Sequence, residues 1–109
     1  TSKLNIEAQS ALHTNVWNQI EEGIKSALME YRKSKDSYQI YHNKLLQESD
    51  QMLSSAASAY ETGKISFLDL LDTKRMVVNV RLEHEEAILK NRIASAKLLK
   101  TVGLIELQE

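Results

Sequence analysis

Two aspartates, Asp69 and Asp72, are the residues whose type and spacing could most directly carry a function. They lie three positions apart in a helix-forming stretch, so both carboxylates share one helix face. In an oligomer that encloses a pore, such a pair repeated around the axis forms a ring of negative charge, which favours cations and repels anions. The same residues also suit a structural role, because Asp69 can complete a helix cap and Asp72 can interact with the helix dipole. The spacing leaves both interpretations open.

The sequence offers little for catalysis or metal binding. His13, His42 and His84 show no metal-ligand spacing, and the chain contains no cysteine. It also has no glycine-rich phosphate loop, no nucleophile elbow and no HExxH motif. A net charge of -1 gives no general attraction to nucleic acid. We therefore expect no enzymatic activity, no metal or cofactor site and no nucleic-acid partner.

Gly63 marks the clearest break between two predicted helices. A helix-forming stretch precedes it, and glycine most readily takes the left-handed conformation just past a helix end. Ser66 and Asp69 then have the spacing of a capping box, and Ile65 and Leu70 have that of a hydrophobic staple. The pattern predicts one unit over residues 1–109. Helix one is predicted at about 2–62, the tip turn at about 63–65 and helix two at about 66–102.

Apolar residues recur in both predicted helices at alternating steps of three and four, which is the seam pattern of a left-handed coiled coil. Folding the chain at Gly63 brings the two stripes together, so that Leu82 faces Leu45 and Leu89 faces Tyr38. The predicted fold is all-α, a long antiparallel two-helix coiled-coil hairpin. The predicted seam comprises Trp17, Ile20, Ile24, Ala27, Tyr31, Ser34, Tyr38, Tyr41, Leu45, Glu48, Met52, Ser55 and Ala59 in helix one, and Leu68, Leu71, Arg75, Val78, Leu82, Glu85, Leu89, Arg92, Ala96, Leu99 and Gly103 in helix two.

The two predicted helices are unequal, because Gly103 falls level with Gly23 when the stripes are aligned. Residues 1–22 then project beyond helix two with apolar residues such as Leu4 and Leu12. An isolated helix of this length is marginal in water, so something outside the chain should cover it. Apolar flanks beside the seam likewise favour lateral neighbours and predict a larger helical wall. In helix two this second apolar line comprises Phe67, Leu70, Val77, Val80, His84 and Ile88.

The segment from Tyr60 to Asp72, YETGKISFLDLLD, resembles the hairpin tip of the TolC family of outer-membrane efflux ducts. Family tips combine a tyrosine, a glycine two or three residues later, a small hydroxyl residue and an Asp-apolar-Leu-Asp helix start. The stretch from Ala96 to Gly103 is similar to the family's closing Leu-x-x-x-x-Gly. The similarity covers nearly the whole chain, and the hairpin is more like the second of the family's two repeats.

The resemblance implies a homotrimer in the full-length protein, with the hairpin as part of a larger α-helical barrel across the periplasm. It implies export of drugs, metals or other small solutes, and membrane contact through an outer-membrane anchor that this chain does not contain. The implied partners are a periplasmic adaptor protein and an inner-membrane transporter. The adaptor-docking residues would be Thr62, Gly63, Lys64, Ile65 and Ser66, and the pore-lining or gate residues would be Asp69 and Asp72.

Two other functions stay open at the level of sequence. One is the hairpin of a periplasmic adaptor protein. Adaptor hairpins usually arrange an Arg, a Leu and a Ser around the tip, whereas the turn here holds Lys64 and Ser66 without that order. The other is a structural coiled-coil spacer, such as a spectrin-like arm. A spacer explains the seam but not the lateral apolar faces or the ordered set of motifs.

Overall fold

The computed structural model describes residues 2–108. Its elements are helix α1 at Ser2–Ile40, a π-helical turn at Tyr41–Leu45, helix α2 at Leu46–Glu61 and helix α3 at Phe67–Gln108. Within these residues there is no β-strand, which confirms the all-α prediction. Thr1 and Glu109, which the predicted unit includes, lie outside the described residues.

The chain divides into two compact units. The first, here called the tip unit, is residues 33–92 and contains the turn between α2 and α3. The second, the end unit, joins the N-terminal stretch up to residue 32 with the C-terminal stretch from residue 93. Each unit has its own helix pairing.

In the tip unit the helices run antiparallel, as predicted. Arg81 approaches Asp50 at 3.2 Å, and further from the turn Asn91 donates a hydrogen bond to Ser34 at 3.2 Å. Residue numbers thus fall along one helix as they rise along the other. This ordering is what a hairpin folded near Gly63 requires, and the tip unit is a coiled-coil-like helical hairpin.

The end unit pairs the N-terminal part of α1 with the C-terminal part of α3. A Cβ built on Gly23 would lie 3.9 Å from Thr101 Cγ2, and Lys97 Nζ lies 3.9 Å from Glu30 Oε2. Ala27 and Ala94 are buried here, at 8% and 5% exposure. Small side chains on both helices allow this close approach.

Helix α3 is longer than predicted. It contains 42 residues and continues through Gly103 to Gln108, rather than ending at about residue 102. Gly103 lies within a helix and a Cβ there would meet nothing within 4 Å, so this glycine does not end the helix. The helices before the turn still contain more residues than α3, with 39 in α1 and 16 in α2.

The π-helical turn shifts the seam of the first helical stretch by one residue. The predicted seam is wrong at Trp17, which is exposed, and correct from Ile20 to Leu45, where Tyr38, Tyr41 and Leu45 are all partly buried. The amide of Leu46 then bonds to the carbonyl of Tyr41, five residues back instead of four, so the turn contains one extra residue. Beyond it the inward residues are Ser49, Leu53 and Ala56, whereas the predicted Glu48, Met52 and Ser55 are exposed.

The predicted seam of α3 is wrong, because the helix packs with its opposite face. Val77 is 2% exposed and Leu70 is 7% exposed, whereas Val78, which was predicted to lie in the seam, is 52% exposed. We call the packed side the inward face, defined by Leu70, Thr73, Val77, Val80, His84, Ala87 and Asn91. We call the other heptad line the outward stripe. It is exposed except at Leu71, which is half-buried, and is defined by Leu68, Leu71, Arg75, Val78, Leu82, Glu85, Leu89 and Arg92.

The first residues of α1, before the segment that pairs with α3, are exposed. Every residue from 2 to 19 is exposed. Leu4, Ile6 and Leu12 keep 65–68% of their surface in solvent. This exposure agrees with the prediction that the apolar side chains at the start of helix one are left uncovered, as far as the described part of the chain extends.

Candidate functional site

The tip turn begins with a complete Schellman motif. The amide of Lys64 donates to the carbonyl of Ala59 at 2.8 Å, and the amide of Gly63 donates to the carbonyl of Tyr60 at 3.0 Å. Gly63 has φ of +76°, which is the left-handed conformation that the motif requires. Glycine adopts it without the steric cost that a Cβ brings. The predicted role of Gly63 as the helix stop is confirmed.

The second half of the turn is a reciprocal capping box. The amide of Asp69 donates to Ser66 Oγ, and the amide of Ser66 donates to Asp69 Oδ2, both at 3.2 Å. Two amides that α3 itself cannot satisfy thereby find acceptors. Leu70 is buried and Ile65 is half-buried, as a staple across the cap would place them. Aspartate thus performs here the role that glutamate usually has.

The exposed surface of the tip is small. Thr62, Gly63, Lys64 and Ser66 are exposed, and the Thr62 hydroxyl donates to the carbonyls of Ser58 and Ala59. Behind the turn, the rings of Tyr60 and Phe67 lie 5.8 Å apart and link the two helices. Lys64 is therefore the long polar side chain that projects from a turn otherwise held by its own hydrogen bonds.

The two aspartates differ in what they contact. Asp69 accepts the hydrogen bond from the Ser66 amide that forms part of the cap, although its carboxylate is also exposed to solvent. Asp72 is exposed and its side chain has no hydrogen bond or ion pair with any residue in the described part of the chain. Asp72 is therefore the better of the two candidates for a function that needs a solvent-facing carboxylate, and Asp69 combines charge with a structural role.

A cluster of rings next to the π-helical turn was not predicted from the sequence. His42 and His84 stack with their centroids 5.5 Å apart, and Tyr38 stacks on both rings at 5.3 and 5.9 Å. His42 Nδ1 and His84 Nε2 lie 3.3 Å apart, and His84 Nδ1 lies 4.0 Å from Glu85 Oε1. The sequence could have indicated this cluster only through the antiparallel register, which places residue 42 close to residue 84.

Tyr41 makes a second polar link between the helices beside this cluster. Its hydroxyl donates to Glu83 Oε2 at 2.9 Å. This hydrogen bond to the carboxylate raises the pKa of Tyr41, and partial burial and the negative charges of Glu83 and Glu86 raise it further. The phenol therefore stays protonated as a donor across the neutral range.

Among the described residues, no group of three or more histidine, cysteine or acidic side chains converges on a point where a metal ion could sit. His13, the remaining histidine, accepts a hydrogen bond from Trp17 Nε1 at 3.0 Å within α1. The site candidates are thus the tip turn, the neighbouring carboxylates and the exposed apolar faces.

Comparisons with protein-family models, with curated proteins and with solved structures find no match to this chain. Within residues 2–108, none of the helices combines the length and the apolar content needed to cross a membrane. The geometry of the tip and of the helix faces is therefore the basis for assigning a function.

Proposed function

We propose that this chain is one periplasmic hairpin of a trimeric outer-membrane efflux duct, similar to those of the TolC family. In this proposal three copies of the full-length protein form an α-helical barrel. Drugs, metals or other small solutes pass through its lumen. The duct has no catalytic step of its own. A periplasmic adaptor and an inner-membrane transporter dock at the tips.

The proposal rests on exposed apolar surface in two places, on α1 and on α3. In an isolated hairpin nothing would cover these surfaces. Leu4, Ile6 and Leu12 are exposed on α1, and Leu82 and Leu89 are 58–59% exposed on α3. Exposed apolar patches of this kind mark interaction sites. A wall of hairpins side by side would cover such faces, because each helix then has neighbours on more than one side.

The tip geometry supports the same proposal. A Schellman motif followed directly by a capping box closes the turn with local hydrogen bonds, so the tip needs no contact from another chain to hold its shape. A preformed and exposed turn suits docking. Thr62, Gly63, Lys64, Ile65 and Ser66 are proposed as the adaptor-docking residues, with Lys64 making the most accessible contact.

Ion selectivity of the full-length protein in a planar bilayer tests the proposal. The wild type should conduct and prefer cations, because Asp69 and Asp72 would be repeated three times around the lumen. Asp72→Asn should weaken this preference, and Asp69→Asn with Asp72→Asn should weaken it further. Asparagine at 69 keeps a side-chain oxygen that can accept the Ser66 amide, so this variant changes charge with little change in the cap.

Asp36→Asn is the matched control. Asp36 is an exposed aspartate of α1, distant in sequence from the tip. It should leave the reversal potential in a salt gradient unchanged. Absence of any conductance from correctly inserted protein would contradict the duct and favour an adaptor hairpin or a structural spacer. Conductance without a response to the Asp72 change would retain the duct but remove the aspartates from its lumen.

A further inference from the structure

The order of charged and apolar residues along the outward stripe of α3 matches that of a second copy of the stripe running in the opposite direction. From Leu68 to Arg92 the stripe repeats at steps of three and four, and its charged members are Arg75, Glu85 and Arg92. Of its apolar members, Leu68, Val78, Leu82 and Leu89 are 52–70% exposed, and Leu71 is half-buried. A heptad line of this kind is the seam of a coiled coil, yet the hairpin itself packs with the inward face.

We propose that the outward stripe binds a second copy of this chain, α3 against α3, in antiparallel orientation about a two-fold axis level with residue 80. In this register every charged residue of the central layers meets the opposite charge. The layers are Val78 against Leu82, Arg75 against Glu85 and Leu71 against Leu89, each of which occurs twice.

Other registers of the same pairing are worse. Moving the axis by half a heptad in one direction sets Arg75 opposite Arg92, which places two cations in one layer. Moving it in the other direction sets Arg75 opposite Val78 and Glu85 opposite Leu68, so both charges lose their partners. Like charges opposite each other and unpaired charges at an interface are both unfavourable. The charge order therefore selects one register.

A parallel pairing of the same stripe is also disfavoured. In a parallel dimer each residue meets its own copy, so Arg75, Glu85 and Arg92 would each face a like charge. A polar residue in a coiled-coil seam specifies register and orientation at some cost in affinity. Arg75 and Glu85 have this role here, while Leu71, Val78, Leu82 and Leu89 bury apolar surface.

The inferred pairing goes beyond the proposed duct and does not depend on it. Hairpins in a duct point their tips in the same direction, whereas the two-fold pairing points them in opposite directions. The two assemblies therefore use one face in mutually exclusive ways. Conductance of the full-length protein tests the duct, and the association state of the 109-residue chain tests the pairing, so either can fail without the other.

Analytical ultracentrifugation of the 109-residue chain and its charge variants provides the test. The wild type should form a concentration-dependent dimer. Arg75→Glu should weaken it about a hundredfold, because it places two like-charged layers in each dimer. Glu85→Arg should have a similar effect, and the double variant with both changes should recover wild-type affinity within about threefold, since the opposite charges face each other again.

Arg92→Glu is the matched control. It reverses a charge on the same stripe, but Arg92 faces Leu68 in this register and has no acidic partner, so dimer affinity should change by less than about threefold. All four variants alter exposed side chains, and circular dichroism should show unchanged helicity. A chain that stays monomeric at several hundred micromolar, or a dimer that is indifferent to Arg75→Glu, overturns the proposal.

Distance measurement between spin labels at Lys64→Cys determines the orientation, and the chain has no other cysteine. An antiparallel pair centred at residue 80 separates the two tips by about 50 Å, at 1.5 Å per helical residue. A parallel pair brings the labels within about 20 Å, given helix axes 8–10 Å apart. The short distance would overturn the proposal, as would a trimer or larger assembly, either of which would indicate a different occupant of the outward stripe.

Discussion

The heptad pattern predicts the packed face of the helical stretch before the tip better than it predicts the packed face of the helix after the tip. Before the tip, the aromatic residues Tyr38 and Tyr41 identify the inward side, and the heptad stripe is correct from Ile20 until one extra residue shifts it. After the tip, two heptad lines exist in α3, and the one with more leucines faces outward. A heptad pattern therefore identifies a surface that packs, but it does not identify the partner.

The reason for the difference lies in side-chain size. The bulky rings of Tyr38 and His42 need small or flat partners, and α3 provides His84 and Ala87 on its inward face. Leucines at 82 and 89 would compete with those rings for the same volume, because helix interfaces pack to a fixed density. Large residues before the tip thus select the face of α3 that has fewer leucines.

Deleting one exposed asparagine from each region should give the largest difference between the two regions in the free energy of unfolding. Asn43 lies in the π-helical turn, and removing it restores a regular α-helix while Ser49 and Leu53 stay inward. The free energy of unfolding should change by less than about 1 kcal/mol. Removing Asn79 from α3 rotates all later residues by about 100° and moves the inward face out of the interface. That deletion should cost at least about 3 kcal/mol.

Urea denaturation followed by circular dichroism measures both deletions. The chain should be studied at low micromolar concentration, where folding is separated from self-association. If the Asn43 deletion proved as costly as the Asn79 deletion, the π-helical turn would be a structural requirement rather than an inserted residue.

Two adjacent valines of α3 provide the next test. Val77 is 2% exposed and Val78 is 52% exposed. Val77→Ala should lower the free energy of unfolding by about 2 kcal/mol, because it removes buried methyl groups and leaves a cavity. Val78→Ala should be neutral or slightly stabilising, within about 0.5 kcal/mol, since alanine has the higher helix propensity.

Thermal and urea unfolding of the two variants distinguish the faces directly. The outcome expected from the sequence stripe alone is the reverse, with Val78 as the costly site. Equal effects at both positions would mean that the two faces of α3 are covered to a similar extent.

The smallest expected effect concerns Tyr41 and alkaline pH. The hydrogen bond to Glu83 raises the pKa of Tyr41 in the folded chain above that in the unfolded chain. Its contribution is therefore fully present below the ordinary tyrosine pKa of about 10 and is lost as pH rises through the folded value. The stability of the wild type should fall more steeply above about pH 10 than that of Tyr41→Phe.

Absorbance of tyrosinate near 295 nm gives an independent measurement of the same group. The wild type should show a phenol that ionises above the ordinary tyrosine range, and Tyr41→Phe should remove that step. Tyr60→Phe, at the hairpin tip, is the control and should retain it. A late step that persists in Tyr41→Phe would assign the raised pKa to another residue.

The sequence predicted the parts of the fold that depend on local chemistry. Gly63 with Ser66 and Asp69 predicted both the helix stop and the cap, because these motifs need only residues within a few positions of one another. The inserted residue at the π-helical turn has no comparable signal in residues 41–45. The face of α3 depends on packing against a distant part of the chain, so periodicity alone could not select between Val77 and Val78.

In the candidate site, too, features that depend on nearby residues differ from features that depend on distant residues or other molecules. The structure explains the local conformation of the tip and of Asp69, whereas adaptor docking and pore lining remain predictions about other molecules. The stacking of Tyr38, His42 and His84 required the antiparallel register and could not be found from spacing within one helix. The register is therefore the most useful addition that the structure makes to the sequence.

The closure of the tip by local hydrogen bonds has a consequence for how the chain folds. Every bond of the Schellman motif and the capping box joins residues at most five positions apart, so the reversal at Gly63 can form before any long-range contact. Loops of this length close within tens of nanoseconds, far faster than distant segments meet. We expect the transition state to contain the tip and the two helices to pair progressively away from it.

Ser66→Ala should then slow refolding in stopped-flow experiments, whereas Ala94→Gly should mainly speed unfolding. The reverse result would place nucleation in the end unit.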